Sequence, residues 1–178
     1  EETIKSLKEK LKHTKKIQLY QTARRRLNEY GTFSTCRQQT ALTAAVQSGA
    51  DAVYLGGPQF GARYSAENFT IEEMKTWVDY CHLYGVDVHV TVNTLVKEKE
   101  IESLKEYLKQ LNKIGVDALI VQDMGAVEII KKTVPDMTLH ASTQMTVTSL
   151  EGVKYLEDRG FSRVVLAREL SEKEIEHI

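Results

Sequence analysis

The chain has little of what marks a secreted, membrane or disulfide-rich protein. Its 178 residues include only two cysteines, Cys36 and Cys81, which show no metal-ligand spacing, and one pair says little about disulfides. Apolar runs are only a few residues long and no secretory signal opens the chain, so we expect a reduced, cytoplasmic protein without a membrane span. The formal net charge is only −1, which argues against a global basic field for nucleic acid.

The sequence also lacks the short motifs of several enzyme classes. It contains no P-loop, GxGxxG, HExxH or nucleophile elbow. His89, Ser142 and Asp123 can be combined into a Ser–His–Asp triad on paper, but nothing in their spacing demands one. Any site must therefore come from residues that the fold brings together.

The chain divides into two unlike parts. Residues 1–41 are rich in lysine and arginine up to residue 30 and lack the interleaved aromatics of a nucleic-acid surface. We expect them to form an atypical leader, either disordered or read in a shifted frame. Residues 42–178 are regular and predict one domain.

From Leu42 onward, four segments repeat one order: a helix, a glycine, a polar residue and a β-branched strand. Gly49, Gly85, Gly115 and Gly160 fall where a helix needs a left-handed C-cap. The predicted strands are Ala52–Gly56, Val88–Asn93, Ala118–Gln122, Leu139–Ser142 and Val164–Ala167. The predicted helices are 70–84, 97–114, 124–133, 148–159 and one that begins near Ser171 in a capping box with Glu174. This alternation predicts parallel βαβ units.

The strand around His89 favours a barrel over a doubly wound sheet. Within residues 86–93, four valines share one face, whereas Asp87, His89, Thr91 and Asn93 share the other. A doubly wound sheet would bury both faces, but a barrel can place the polar column in its lumen, where His140 and Ser142 would join it. We therefore predict an α/β fold, a parallel TIM-barrel-like (β/α) domain that is incomplete, with about five of the eight βα units.

Polar residues or glycines follow each predicted strand, where a barrel carries its functional side chains. We predict His89 and His140 as proton carriers, since histidine titrates near neutral pH. Arg63 and Arg168 suit a small anionic substrate because a guanidinium matches a carboxylate with two hydrogen bonds. Core histidines and ordinary rim charges are the alternatives, and no metal site is predicted. The predicted substrate-binding residues are Arg63, Asn93, Gln122, Asp123, Ser142, Gln144, Arg168 and Glu169.

The region from about Leu42 to Ile178 resembles peptidase family U32, the collagenase-like proteins. The resemblance lies in GADAVYLGGPQFGARYSAENFT, VTVNTLV, GVDALIVQD, LHASTQMTV and RVVLAREL. It implies a barrel and a parent protein that supports hydroxylation of a tRNA uridine, as relatives do for tRNA, ribosomal RNA or ubiquinone precursors. It also implies an iron–sulfur cluster in the parent and prephenate as a possible small anionic substrate. A protease, or a scaffold that binds a small molecule or RNA without catalysis, is the alternative.

This chain lacks the cysteine-containing signature of the family that it resembles. The family's glycine–cysteine signature would come shortly beyond Ile178, and Cys81 does not match it. The resemblance therefore implies that this chain is the first part of the barrel. We expect no cofactor and no activity in the chain alone, and an unstable protein unless a partner subunit completes the sheet.

A second departure concerns GTFSTCRQQ, residues 31–39, where the family's first strand resembles ELLAPAG. One allowed set of codons for this stretch, read one nucleotide later, encodes ELLAPAGS. We hypothesise that residues up to about Gln39 are read in a shifted frame that is restored near Thr40–Leu42; a divergent N-terminus is the alternative. If the frame is shifted, residues 31–39 should be irregular, or at best a frayed strand beside Ala52–Gly56.

Overall fold

A computed structural model describes residues 33–36, 39–62 and 69–178. Arg63 and most of the predicted leader lie outside these residues. The strands are β1 (Phe33–Cys36), β2 (Ala52–Gly56), β3 (Asp87–Val92), β4 (Ala118–Val121), β5 (Thr138–Ala141) and β6 (Phe161–Val164). The helices are α1 (Gln39–Gln47), α2 (Ile71–Leu83), α3 (Ile101–Ile114), α4 (Met124–Thr133), α5 (Leu150–Glu157) and α6 (Glu172–Ile175). Two 3₁₀ turns lie at Glu98–Glu100 and Thr143–Met145.

The strands form one six-stranded sheet whose order follows the chain, from β1 to β6. Every neighbouring pair is parallel, and helices connect the strands. A parallel sheet whose strand order follows the chain, with helices between the strands, is the arrangement of a (β/α) barrel. The predicted fold class is confirmed. Within the described residues the sheet does not close, so β1 and β6 are its two edges. No helix in this part of the chain is long and apolar enough to span a membrane.

The hydrophobic core lies between the sheet and its helices. Val88, Val90 and Val92 point into it and are fully buried. From the helical side, α3 contributes Leu104 and Leu108, which are also fully buried. Each such side chain stabilises the fold by roughly 1.5–3 kcal/mol. Because the valines of β3 face the helices, the alternate residues of that strand face the lumen, as the alternation predicted.

The helix ends follow the signals in the sequence. The four predicted C-cap glycines all have positive φ, between 67° and 86°. At the end of α3, for example, Gly115 adopts the left-handed conformation and its N–H bonds back to Leu111. The predicted capping box at the start of α6 is also present, since Glu174 accepts from both the N–H and the hydroxyl of Ser171.

The predicted boundaries of the last strand were wrong by three residues. The ladder between β5 and β6 shifts between Leu139 and His140, and His140 pairs with Arg163. The strand runs from Phe161 to Val164 instead of from Val164 to Ala167. Beyond it, the N–H of Ala167 donates to the carbonyl of Val147. An apolar run alone could not reveal this, because the run continues after the chain leaves the sheet.

Residues 33–36 form strand β1, which pairs with β2 from Phe33–Ala52 to Cys36–Leu55. Of the two outcomes expected for this stretch, the structure shows the strand. A parallel ladder uses backbone groups, so a stretch without alternation can occupy an edge. The hypothesis of a shifted reading frame stays a prediction.

Candidate functional site

Four side chains form a continuous row across the lumen face of the sheet, one from each of β2, β3, β5 and β6. We call Tyr54, His89, His140 and Arg163 the lumen row. The ring centroids of Tyr54 and His89 are 5.8 Å apart with their planes inclined by 29°, and those of His89 and His140 are 4.6 Å apart, edge to face. Arg163 stands beside His140 because the two residues pair across β5 and β6. The fold thus brings the two predicted histidines together.

Both histidines of the lumen row are buried, and this sets their protonation. The pKa of His140 is lowered to about 4, mainly by burial and to a smaller extent by the neighbouring His89 and Arg163. Burial also lowers the pKa of His89, where Asp87 acts in the opposite direction. Both imidazoles are therefore neutral near pH 7. A base works best when its pKa lies near the operating pH, so this environment favours hydrogen bonding by His140 over the predicted proton transfer.

Above the lumen row, Asn93 connects the loops that follow four strands. Its amide donates to Gln144 Oε1 at 2.7 Å, and its Oδ1 accepts from the N–H of Ala62 at 3.0 Å. Gln122 Nε2 donates to the carbonyl of Asn93 at 2.8 Å. The structure therefore brings Asn93, Gln122 and Gln144 together as one hydrogen-bonded network at the mouth of the lumen.

Two other predicted residues hold the local backbone. Asp123 caps α4, since its Oδ1 accepts from the N–H groups of Gly125 and Ala126, and its Oδ2 accepts from Val96. Ser142 is buried, and its hydroxyl accepts from the N–H of Gln144. Because three backbone N–H groups engage the Asp123 carboxylate, the structure gives no support to a triad built on it.

Arg168 and Glu169 are exposed in a turn beyond β6, so they do not follow the strand directly. Sequence reasoning missed Tyr54 and Arg163, which complete the lumen row. Tyr54 could have been found, because it alternates with the buried Val53 and Leu55. Arg163 was missed because the strand that carries it was placed three residues too late.

The described residues do not fit an iron–sulfur cluster. Among them, no group of three or more histidine, cysteine, aspartate or glutamate side chains could hold a metal ion. Cys81 is fully buried in the core between α2 and the sheet, away from the lumen. Cluster ligands, which are thiolates, would therefore have to come from elsewhere.

Comparison with known proteins adds a family and named relatives. A sequence model of peptidase family U32 matches residues 37–178. The chain is 43% identical over 145 residues to the 23S rRNA 5-hydroxycytidine C2501 synthase of Escherichia coli K12, covering 82% of this chain and 22% of that protein. It is 39% identical over 134 residues to tRNA hydroxylation protein P1 of Bacillus subtilis 168, covering 75% of this chain and 32% of the relative. An uncharacterized protease of Methanocaldococcus jannaschii is 34% identical over 145 residues, which cover 82% of this chain and 35% of that one.

Solved structures agree on the fold. A U32 peptidase matches 78% of this chain and 60% of its own with a TM-score of 0.59 at 20% identity. An aldolase from Escherichia coli K12 matches 74% of this chain and 50% of its own with a TM-score of 0.54 at 14% identity. At 20% and 14% identity, these two matches support the fold of the chain and carry no argument about its activity. The chain spans between about a fifth and a third of the length of the curated relatives named above.

Proposed function

Because this chain belongs to peptidase family U32, we propose that it supplies the first strands of a barrel protein that supports hydroxylation of a pyrimidine base in RNA. The observation that carries the proposal is its similarity, at 43% and 39% identity, to relatives named for rRNA and tRNA hydroxylation. A tRNA uridine is the predicted target, and a ribosomal RNA cytidine is the alternative.

The lumen row supports a role in binding a small substrate within the barrel. Arg163 supplies a positive charge, and neutral imidazoles both donate and accept hydrogen bonds. We propose that a small anionic molecule, such as prephenate, binds with its carboxylate towards Arg163 and a polar group towards His140. The network around Asn93 then shapes the entrance.

Hydroxylation also needs a redox partner, which the described side chains do not supply. An iron–sulfur cluster would provide electron transfer when bound, but these residues do not fit one. We therefore assign no step to it. The part proposed for this chain is to bind and orient the small substrate and to present the lumen to the RNA.

Proteolysis is the second candidate, because one relative is named an uncharacterized protease. A hydrolase of the Ser–His–Asp type would need a carboxylate that orients a histidine. Asp123 instead accepts three backbone N–H groups, so it is engaged in holding α4 and the loop before α3. This observation favours hydroxylation over proteolysis.

The test is to delete the gene in the organism that carries it and to digest tRNA and ribosomal RNA separately to nucleosides. Mass spectrometry should show loss of one hydroxylated pyrimidine nucleoside in one RNA class, and return of the gene should restore it. Unchanged nucleosides in both classes would contradict the proposal. Unchanged nucleosides together with a loss of gelatin cleavage by the cell extract would favour the protease.

A further inference from the structure

Gln122 and Gln144 lie at the mouth of the lumen, and Asn93 engages one end of each side-chain amide. Gln144 Oε1 accepts from the Asn93 amide at 2.7 Å, and Gln122 Nε2 donates to the Asn93 carbonyl at 2.8 Å. Each glutamine amide has a donor and an acceptor, so its other end is left over. Gln144 therefore presents its Nε2 donor and Gln122 its Oε1 acceptor, and no hydrogen bond among the described residues engages either atom.

Two backbone groups fix the orientation of these amides. The N–H of Ala62 can only donate, so the atom of Asn93 that it contacts at 3.0 Å is Oδ1, and the Asn93 Nδ2 faces Gln144. The carbonyl of Asn93 can only accept, so Gln122 turns its Nε2 towards it. The donor and the acceptor that remain are therefore determined by the fold.

Both amides belong to the upper end of the lumen face. On β4, Ile120 pairs with Thr91 and shares its lumen face, so Gln122, two residues further on, continues that face. Gln144 lies in the 3₁₀ turn after β5, where the Ser142 hydroxyl accepts from its N–H. The two amides are thus held at the entrance through which a base would approach the lumen row.

The mouth is uncharged where the strands end, which selects the kind of group that can bind there. The residues that directly follow β2 to β6 are Gly57, Asn93, Gln122, Ser142 and Val165. A carboxylate or a phosphate offers acceptors alone, and the Gln122 Oε1 acceptor would repel it. A neutral group with a donor beside an acceptor satisfies both amides. Uracil has this pattern in N3–H and O4, and cytosine has it in its N4 amino group and N3.

We propose that Gln122 and Gln144 bind the Watson–Crick edge of the pyrimidine that is hydroxylated. The inference rests on the proposed RNA hydroxylation. In uridine, N3–H donates to Gln122 Oε1 and O4 accepts from Gln144 Nε2; in cytidine, the N4 amino group and N3 take these places. Enzymes that modify a base take it out of its stack and recognise this edge by hydrogen bonds. Asn93 orients the two amides and does not touch the base.

The first test measures nucleoside binding to the purified protein by NMR, through the side-chain amide signals of its glutamines. Uridine at millimolar concentrations should shift the signals of Gln122 and Gln144. 3-Methyluridine lacks the N3–H, so it should bind at least tenfold more weakly. Gln110, which is exposed on the outer helix α3, is the internal control, and its signal should not move.

Equal shifts with both nucleosides, or no shift with either, would overturn the proposal. The blocked peptide N-acetylglycine N-methylamide is the second ligand, because a peptide also carries neutral donors and acceptors. If it shifts the two signals more strongly than uridine does, the amides recognise a peptide and the assignment to a base is wrong.

The second test places Gln144→Glu in the chromosomal gene, with Gln110→Glu as the matched control. The new carboxylate still accepts from Asn93, but it presents an acceptor where Nε2 donated. We expect Gln144→Glu to reduce the hydroxylated nucleoside by roughly tenfold or more at equal protein abundance. Gln110→Glu adds the same charge on α3 and should retain the nucleoside.

The outcomes separate the two proposals. If deletion of the whole gene leaves the nucleosides unchanged, the proposed function fails and the inference fails with it. If the gene is required but Gln144→Glu is as active as wild type, only the recognition of the base by Gln144 is overturned. If purified Gln144→Glu has a lower melting temperature, the comparison of uridine with 3-methyluridine on the wild-type protein decides.

Discussion

At the scale of single residues, the lumen row shows how the surroundings of a histidine change its pKa. His89 and His140 have the same side chain as any surface histidine, yet burial between strands lowers the pKa of both. A guanidinium beside them acts in the same direction, because a second positive charge in a confined space costs free energy. Arg163 therefore adds to the effect of burial, which is the main reason that both imidazoles stay neutral.

The lowered pKa of His140 predicts a loss of stability in acid. The unfolded chain takes up a proton near pH 6.5, whereas the folded chain does so only near pH 4, so the stabilising difference is present above pH 6.5 and is lost as the pH falls towards 4. From pH 7 to pH 5, this residue should lower the free energy of unfolding by about 2 kcal/mol.

Urea denaturation of the purified protein at both pH values measures this loss. His140→Asn serves as the control, since it cannot titrate in this range. An equal decrease between pH 7 and pH 5 in wild type and His140→Asn would contradict the prediction.

Gly57 and Tyr107 form a second close contact at residue scale. A Cβ at Gly57 would lie 1.8 Å from the Tyr107 hydroxyl, so Gly57→Ala should destabilise the protein by about 1–3 kcal/mol through overpacking.

The Tyr107 hydroxyl is buried with no hydrogen-bond partner in the described part of the chain, so Tyr107→Phe should stabilise the protein by about 1 kcal/mol. In a double-mutant cycle measured by urea unfolding, Gly57→Ala should lower the free energy of unfolding by less in the Tyr107→Phe protein than in the wild type.

The exposed Tyr155 supplies the control, because Tyr155→Phe should leave the stability unchanged within error. If Gly57→Ala lowers the free energy of unfolding equally with and without Tyr107→Phe, the Tyr107 hydroxyl is not the group that excludes a side chain at position 57.

At the scale of elements, side chains at strand ends hold the loops of the mouth together. Asp123 shows this most fully, because one carboxylate caps α4 and fixes the loop before α3. Asn93 does the same across the loops that follow β2, β4 and β5. Asp123 and Asn93, which the sequence predicts to bind substrate, thus stabilise the backbone of these loops in the folded chain.

Asp123→Ala should lower the free energy of unfolding by about 1–2 kcal/mol, since it removes an N-cap and a loop contact. Hydrogen exchange should show faster exchange at the amides of Val96 and Gly125. Ser171→Ala is the comparison, because it removes an N-cap from the exposed four-residue helix α6 but no loop contact, and it should cost less, about 0.5 kcal/mol. Full protection of both amides in Asp123→Ala would refute the assigned contacts.

At the scale of the whole molecule, the described sheet has six strands and two open edges. A barrel loses its edges only by closure, so exposed edges and an open lumen favour aggregation. The first edge is β1, which belongs to the stretch that departs from the family. We therefore expect the first strand to limit the stability of this chain.

Replacement of residues 31–38 by Glu-Leu-Leu-Ala-Pro-Ala-Gly-Ser should raise the stability, because each leucine that becomes buried contributes roughly 1.5–3 kcal/mol. Thermal unfolding and size-exclusion chromatography measure stability and aggregation. The matched control carries serine in place of both leucines. The hypothesis of a shifted frame is abandoned if both replacements behave alike, or if the codons of the gene cannot encode ELLAPAG one nucleotide away.

The sequence by itself determined the elements of this protein and their order. Apolar alternation in β3 assigned its valines to the helical face and its histidine to the lumen, and four glycines marked helix ends, because both signals are local properties of the backbone. Parallel pairing then followed from the regular alternation of strands and helices.

Only the tertiary structure decided how the site is composed. Arg163 belongs to the lumen row because the ladder between β5 and β6 is irregular at Leu139–His140, so that Ser162 is passed over and Arg163 pairs with His140. The low pKa of His140 likewise arises from burial and from the neighbouring His89 of β3 and Arg163 of β6. These properties depend on distances between residues far apart in the chain, which spacing along a sequence does not contain.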